Sequence, residues 1–229
     1  MYNIIKRIIL IFTASLLLVS CEKNAVKIKT SINSYETDNE IVYIELPKIS
    51  GLKDEKFEDE LNSEYEKRYE EMLNSYLDSS EKTKSERNKK SELIVKQRVS
   101  YNKNNLVSII SESYKYTDGF NGQSVRYVNN IDTKNNKKLL LSDIFNDDGY
   151  KEMLNQRLEK ISLDEKYSDL WERPKIGEKQ NEYFYFTDKG LVVFYPPYEL
   201  SYYSRGFVEF TIPYEDLYGY LNPEYSVLY

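Results

Sequence analysis

The chain has 229 residues, a formal net charge of −6, one cysteine and no histidine. A single cysteine excludes an intramolecular disulfide, and the absence of histidine excludes Ser-His-Asp and Cys-His catalytic arrangements. A zinc site of His and Cys ligands is excluded for the same reason, so no metal or cofactor is expected. The acidic balance argues against nucleic acid as a partner and favours a cationic one.

The N-terminus has the pattern of a lipoprotein signal peptide. Lys6 and Arg7 precede an apolar run over residues 8–19, which is shorter than the roughly 20 residues of a membrane-spanning helix. The run ends in Leu-Val-Ser-Cys at 18–21, a lipobox whose cysteine thiol accepts diacylglycerol, and two acyl chains give a durable membrane anchor. We predict a signal peptide over 1–20, acylation of Cys21 and location on the extracytoplasmic side of the cell membrane. The alternative is an uncleaved signal anchor that ends in cysteine.

Removal of residues 1–20 makes the remaining chain more acidic. Those residues contain two of the 32 basic residues and no acidic one, so 30 basic and 38 acidic residues remain, a net charge of −8. The chain also has 23 tyrosines, a residue type that often forms contact surfaces because its apolar ring carries a polar tip. A codon bias of the genome would explain the tyrosines equally well.

The first half of the chain predicts two strands and a long helix. Alternation over 26–29 and the apolar run over 41–46 indicate strands, and Pro47 is expected to stop the second. A helix is predicted over 53–84, because apolar residues recur there every three or four positions. These residues form one stripe: Phe57, Leu61, Tyr65, Tyr69, Met72, Leu73, Tyr76 and Leu77.

The remaining chain predicts more strands and a shorter helix. Runs of β-branched and aromatic residues over 93–99, 106–110 and 125–128 indicate an antiparallel meander. A helix is predicted over 148–161, capped by Asp147 or Asp148, with Leu154 inward. Three more elements are predicted after this helix. They are a hairpin over 183–195 that turns at Gly190, a strand over 207–212, and a short helix over 214–220 that begins after Pro213.

This order of elements predicts an α+β fold, in which antiparallel sheets pack with one long and one shorter helix in two successive subdomains. The predicted boundaries are a signal peptide at 1–20, the lipidated cysteine and tether at 21–29, a first α+β domain at 30–133 and a second at 134–229.

Four stretches in this order resemble a known pair of extracellular domains of unknown function, shared by RsiV-type anti-sigma factors and PdaC-type peptidoglycan deacetylases. The stretches are LPKISGL at 46–52, NNID at 129–132 with LLLSDIF at 139–145, FYFTDKGL at 184–191, and YELSYYSRG at 198–206 with FTIPYEDL at 210–217. The resemblance covers about Val26 to Tyr220. Residues 30–133 resemble the N-terminal domain of the deacetylases, and residues 134–229 resemble the C-terminal domain of the RsiV-type proteins.

The chain also departs from both kinds of relative. A lipobox stands where the anti-sigma factors have a sigma-binding segment and a spanning helix, and no catalytic domain with metal-binding histidines follows residue 229. The resemblance therefore implies a binding module alone, on a lipid tether. In the sigma-regulating relatives this module binds lysozyme, which implies an envelope or host protein as ligand here.

One loop stands out as a candidate contact surface. Two prolines stiffen it, and it contains tyrosine and arginine, the side chains that most often anchor interfaces. The predicted ligand-binding residues in it are Tyr195, Pro196, Pro197, Tyr198, Tyr202, Tyr203 and Arg205, and Phe120 in the turn over 118–122 is a further candidate. Alternatively, these tyrosines pack over the sheet edge as a signature of the fold.

Carboxylates are the remaining groups that support catalysis. A glycosidase needs two acids about 5–10 Å apart, and Glu199 and Asp216 bracket the most family-like stretch. Asn-Asp-Asp-Gly at 146–149 resembles a fragment of a calcium loop, but it lacks the alternating ligands, and helix capping explains it better.

The sequence therefore predicts a non-catalytic cell-surface lipoprotein that binds an envelope or host ligand, either lysozyme or peptidoglycan. A carboxylate-based enzyme acting on peptidoglycan and a structural envelope lipoprotein are the alternatives.

Overall fold

The computed structural model describes residues 10–12, 25–83, 89–119 and 121–228. Cys21, Phe120 and the predicted signal peptide outside 10–12 lie beyond this part of the chain. The fold is α+β, as predicted, and it divides into two compact units that we describe separately. Of the described residues, unit 1 contains those within 10–12, 26–97 and 111–125, and unit 2 contains residue 25 and those within 98–110 and 126–228. The domain boundaries predicted from the sequence stay a prediction.

Ten strands and two α-helices are described, with short 3-10 helices between them. The strands are β1 Leu10–Phe12, β2 Lys27–Glu36, β3 Glu40–Ser50, β4 Ser91–Lys103, β5 Leu106–Tyr116, β6 Gln123–Asp132, β7 Lys137–Lys138, β8 Phe184–Thr187, β9 Gly190–Tyr195 and β10 Val208–Ile212. The helices are α1 Glu55–Thr83 and α2 Gly149–Ile161. The described strands form two sheets. The larger sheet has the order β1-β2-β3-β4-β5-β6-β7, and the smaller sheet has the order β10-β9-β8.

In unit 1 the long helix α1 packs its apolar stripe as predicted. Leu61, Tyr65 and Tyr76 are buried, and none of the other stripe residues is exposed. Tyr76 lies in a cluster with residues of β3 and β4, such as Val42 and Leu93. The Tyr76 hydroxyl and the Ser91 hydroxyl are 2.7 Å apart, so this fully buried tyrosine also has its polar tip satisfied.

The prediction that Pro47 ends the second strand is wrong, because β3 continues to Ser50. Pro47 pairs with Thr30 of β2. It lies beyond Ile44, the last residue of β3 that pairs with β4. The edge of β3 facing β4 is unpaired there, and a residue without an N–H group is tolerated at such an edge.

A side chain of α1 takes over part of this unpaired edge. The Ile49 N–H donates to Asn62 Oδ1, and Asn62 Nδ2 donates to the Ile49 carbonyl, both at 2.9 Å. Both residues are buried. Since a buried backbone group without a partner is costly, this amide holds the end of β3 against α1.

Replacement of the amide tests this interaction. Asn62→Ala leaves the Ile49 N–H and carbonyl unpaired in a buried position, and the free energy of unfolding should fall by about 2–4 kcal/mol in urea denaturation. Asn74 is exposed on the same helix, so Asn74→Ala is the matched control. Equal stabilities of the two variants would contradict this role of Asn62.

In unit 2 the small sheet β10-β9-β8 presents one face to the main core. Its inward residues include Phe186, Val193 and Phe210, which cluster with Leu154 and Leu158 of α2. Leu154 is buried, as predicted. The β8–β9 hairpin turns where predicted, with Gly190 at φ 149°, and a Cβ there would clash with the Ile212 carbonyl oxygen. Only glycine therefore lets β10 approach this closely.

Two helix predictions in unit 2 are refined. Asp148 occupies the N-cap position of α2, but its side chain makes no cap hydrogen bond and pairs instead with Lys151 at 3.2 Å. The neighbouring Asp147 Oδ1 accepts the Gly149 N–H at 2.8 Å. The helix predicted over 214–220 is a 3-10 helix over Tyr214–Leu217. Within the described residues, no helix has the length and apolar character needed to cross a membrane.

Candidate binding site

The loop after β9 carries the predicted tyrosine surface, and its first turn has an unusual backbone. The Glu199 N–H donates to the Pro196 carbonyl at 3.2 Å and closes a turn whose third residue is Tyr198. Tyr198 has φ 71°, a conformation that turns usually give to glycine or asparagine. The residue is 62% exposed. The chain therefore holds a large aromatic side chain on the surface at a conformational cost.

The two ends of this turn are fixed in the core of unit 2. Tyr195 is buried, and its hydroxyl donates to the Lys175 carbonyl at 2.9 Å. Burial raises the pKa of Tyr195 above its ordinary value. Leu200 is buried on the other side. Tyr195 thus anchors the start of the loop in the core, while Pro196 and Pro197 are half-buried.

The second half of the loop is held by Arg205. Its guanidinium donates to the Lys166 carbonyl at 2.6 Å and lies 3.7 Å from the Asp169 carboxylate. Asp169 also accepts a hydrogen bond from the Ser201 hydroxyl at 3.0 Å. Tyr202 precedes a 3-10 helix over Tyr203–Arg205 and is 67% exposed. Arg205 therefore orders the loop as well as lying on its surface.

Sequence reasoning missed the residue that completes this surface, Trp171. Its backbone N–H donates to the Leu200 carbonyl at 3.1 Å and its indole Nε1 donates to the Glu199 carbonyl at 3.2 Å. The residue is 47% exposed, and its indole meets the Tyr202 ring edge-on at 5.2 Å. Its sequence signal is that it is the only tryptophan in the chain.

We call Trp171, Tyr198, Tyr202 and Tyr203 the aromatic patch. The Tyr198 and Tyr203 rings lie 5.4 Å apart, and Trp171 contacts Tyr202, so the patch consists of two ring pairs on one loop and its neighbour. Aromatic side chains of this kind bury large areas in interfaces at low entropic cost.

The carboxylates proposed as a catalytic alternative both have partners. Glu199 accepts from Gln180 Nε2 at 3.2 Å and lies 3.8 Å from Lys179 Nζ. Asp216 forms an ion pair with Arg157 at 3.3 Å. Over the described ranges, no group of three or more His, Cys, Asp or Glu side chains is arranged to hold a metal.

The turn predicted as a further contact point belongs to unit 1, whereas the aromatic patch belongs to unit 2. Gly119 has φ 87°, and its N–H donates to Asp118 Oδ1 at 2.7 Å. Phe120 lies outside the described residues, so its role in binding stays a prediction.

Comparison with known proteins finds a family model that matches each half of the chain. The family model "Deacetylase PdaC" matches residues 23–124, and the model "Protein of unknown function (DUF3298)" matches residues 142–215. The anti-sigma-V factor RsiV of Bacillus subtilis (strain 168) is 26% identical over 194 residues, which are 78% of this chain and 64% of that protein. The matched part of the chain thus spans slightly less than two-thirds of the length of this relative. The matches confirm that it carries the domain pair that RsiV-like and PdaC-like proteins share.

Two solved structures have the same fold. A DUF3298-family member from Bacteroides fragilis NCTC 9343 matches with a TM-score of 0.64 and 21% identity, over 89% of this chain and 96% of that one. A DUF3298-family protein from Pseudomonas aeruginosa PAO1 matches with a TM-score of 0.66 and 17% identity, over 88% and 97%. The family and relative matches together support an extracytoplasmic, envelope-related role.

The strained backbone of Tyr198 can be tested by stability measurements that need no ligand. Tyr198→Gly removes the penalty of positive φ, and the free energy of unfolding should rise by up to about 1 kcal/mol. Tyr202 is equally exposed but has φ −61°, so Tyr202→Gly should instead lower it by about 0.5–1 kcal/mol. Urea denaturation of both variants measures this difference, and destabilisation of equal size in both would contradict the strain at Tyr198.

Proposed function

We propose that this protein is a non-catalytic lipoprotein on the extracytoplasmic side of the membrane, and that its aromatic patch binds an envelope or host protein of the basic lysozyme type. The observation that supports this most is Tyr198, which is held exposed in a conformation unfavourable for tyrosine. Strain of this kind persists where the surrounding structure enforces it, and it concentrates at functional positions.

The geometry of the patch suits a protein ligand. Trp171 is tied to the loop by two hydrogen bonds, and Arg205 ties the far end of the same loop. A loop ordered before binding loses little entropy on association, so more of the contact energy appears as affinity. Exposed aromatic rings surrounded by polar residues are the usual anchors of such interfaces.

The charge of the chain and its family resemblance suggest which protein the ligand is. The chain without residues 1–20 has a net charge of −8, from 30 basic and 38 acidic residues, which is complementary to a basic ligand. The resemblance to RsiV-type proteins implies lysozyme. A binder tethered by lipid would capture lysozyme, or block it, at the membrane without passing a signal across it.

Direct binding to c-type lysozymes tests the ligand. We expect micromolar or tighter association at low salt in a surface-binding assay, with an association rate that falls as salt is added. Tyr198→Ala should weaken binding by about 2 kcal/mol, roughly 30-fold. Tyr218→Ala is the matched control, because Tyr218 is 68% exposed and lies outside the patch.

Three other results would each point elsewhere. Failure to bind several c-type lysozymes at micromolar protein and low salt would rule out this ligand. Retention on purified cell wall would then favour peptidoglycan. Release of sugar or acetate from that wall would favour the carboxylate enzyme, for which Glu199 and Asp216 are the residues to replace.

The lipid anchor has its own test. Cys21→Ala removes the only thiol in the chain, so acylation should be lost and the protein should accumulate unprocessed or be released. Labelling with a fatty-acid analogue and partition into detergent measure this. A mutant that is still fully processed and still partitions into detergent would show that Cys21 is not the anchor.

A further inference from the structure

A cleft of about 360 Å³ lies beside the aromatic patch, in the segment that follows α2. It is lined by residues of the segment 162–173 other than Lys166 and Asp169, and we call it the Trp171 cleft. Its volume is at the lower end of the range for small-molecule sites, roughly 300–1,000 Å³. Neither the sequence patterns nor the proposed protein ligand accounts for this cleft.

The aromatic wall of the cleft is rigid. Tyr167 stacks on Phe210 with ring centroids 4.6 Å apart, and its hydroxyl donates to the Glu209 carbonyl at 2.6 Å. Trp171 is fixed by its hydrogen bonds to the carbonyls of Leu200 and Glu199. The indole therefore presents a fixed face to the cleft. The Tyr202 ring, which stands at 84° to the indole, supports it from outside the cleft lining.

The polar lining of the cleft restricts what the cleft can bind. Asp164, Glu165 and Glu172 line it, and the only basic residue among its lining, Arg173, lies 3.7 Å from Glu159. Three carboxylates disfavour an anionic ligand such as a phosphate. An acyl chain would require an apolar lining, because charged groups lose hydration against it. A metal is disfavoured, since no metal-binding group of side chains is found in the described part of the chain.

A sugar ring has the matching chemistry. A pyranose has an apolar face of C–H groups, which packs on an aromatic ring, and hydroxyl groups at its edge, which donate to carboxylates. We propose that the Trp171 cleft binds a pyranose ring of an uncharged glycan, with the sugar face on the Trp171 indole and its hydroxyls directed to Glu172. The inference rests on the proposed role as an extracytoplasmic binding protein, but not on lysozyme as the ligand.

The chain contains its own reporter for this site. Trp171 is the only tryptophan, so the indole fluorescence of the whole chain comes from the cleft alone. The probe is the tetramer of N-acetylglucosamine, added to the protein as its host processes it, in a detergent without a sugar headgroup. We expect the emission to shift to shorter wavelength and to saturate with added tetramer. An unchanged emission up to about 10 mM tetramer, tenfold above a weak Kd of about 1 mM, would overturn the inference.

Variants separate stacking from a change of fold. In calorimetric titrations with the same tetramer, Trp171→Ala should weaken binding at least about tenfold, whereas Trp171→Phe should stay within about threefold of the parent because it retains an aromatic face. Tyr218→Ala, outside the cleft, should be unchanged. Equal binding by Trp171→Ala and the parent, or equal loss in both Trp171 variants, would overturn the inference. Tetramer binding by a protein that ignores lysozyme would support this site and remove only the lysozyme proposal.

Discussion

The aromatic patch depends on how unit 2 satisfies the backbone hydrogen-bonding groups along one strand edge. β8 is the outer strand of the small sheet, and among the described strands none pairs with its far side. There the Phe186 N–H donates to the Ser108 hydroxyl at 3.0 Å, and Asn130 Nδ2 donates to the Phe184 carbonyl at 2.8 Å. Ser108 and Asn130 are buried, so these side chains stand in for a neighbouring strand. The sheet is thereby fixed, and with it the loop that leaves β9.

Between this sheet and the aromatic patch, the chain is fixed by burial and by hydrogen bonds. Tyr195, the last residue of β9, is buried, and the turn that follows places Tyr198 in the solvent. Hydrogen bonds from Trp171 then fix the turn from the side. An exposed loop with so many fixed points suits recognition of a partner, because little remains to be ordered on binding.

The sequence predicted the elements whose causes are local. The spacing of Leu61, Tyr65 and Tyr76 is enough to place α1, and Gly190 is enough to place the hairpin turn. It did not predict that β3 passes Pro47, because this depends on where β4 stops pairing. Trp171 was missed for the same kind of reason: its indole bonds to Glu199, 28 residues away, and no periodic pattern records such a contact.

If the aromatic patch is a binding surface, hydrogen–deuterium exchange on the complex with a c-type lysozyme will detect it. Exchange reports on backbone amides along the chain, so it needs no substitution. We expect lysozyme to slow exchange in residues 169–173 and 196–205 and to leave the amides of α1 unchanged. Protection confined to other segments, with none in these two, would contradict this expectation.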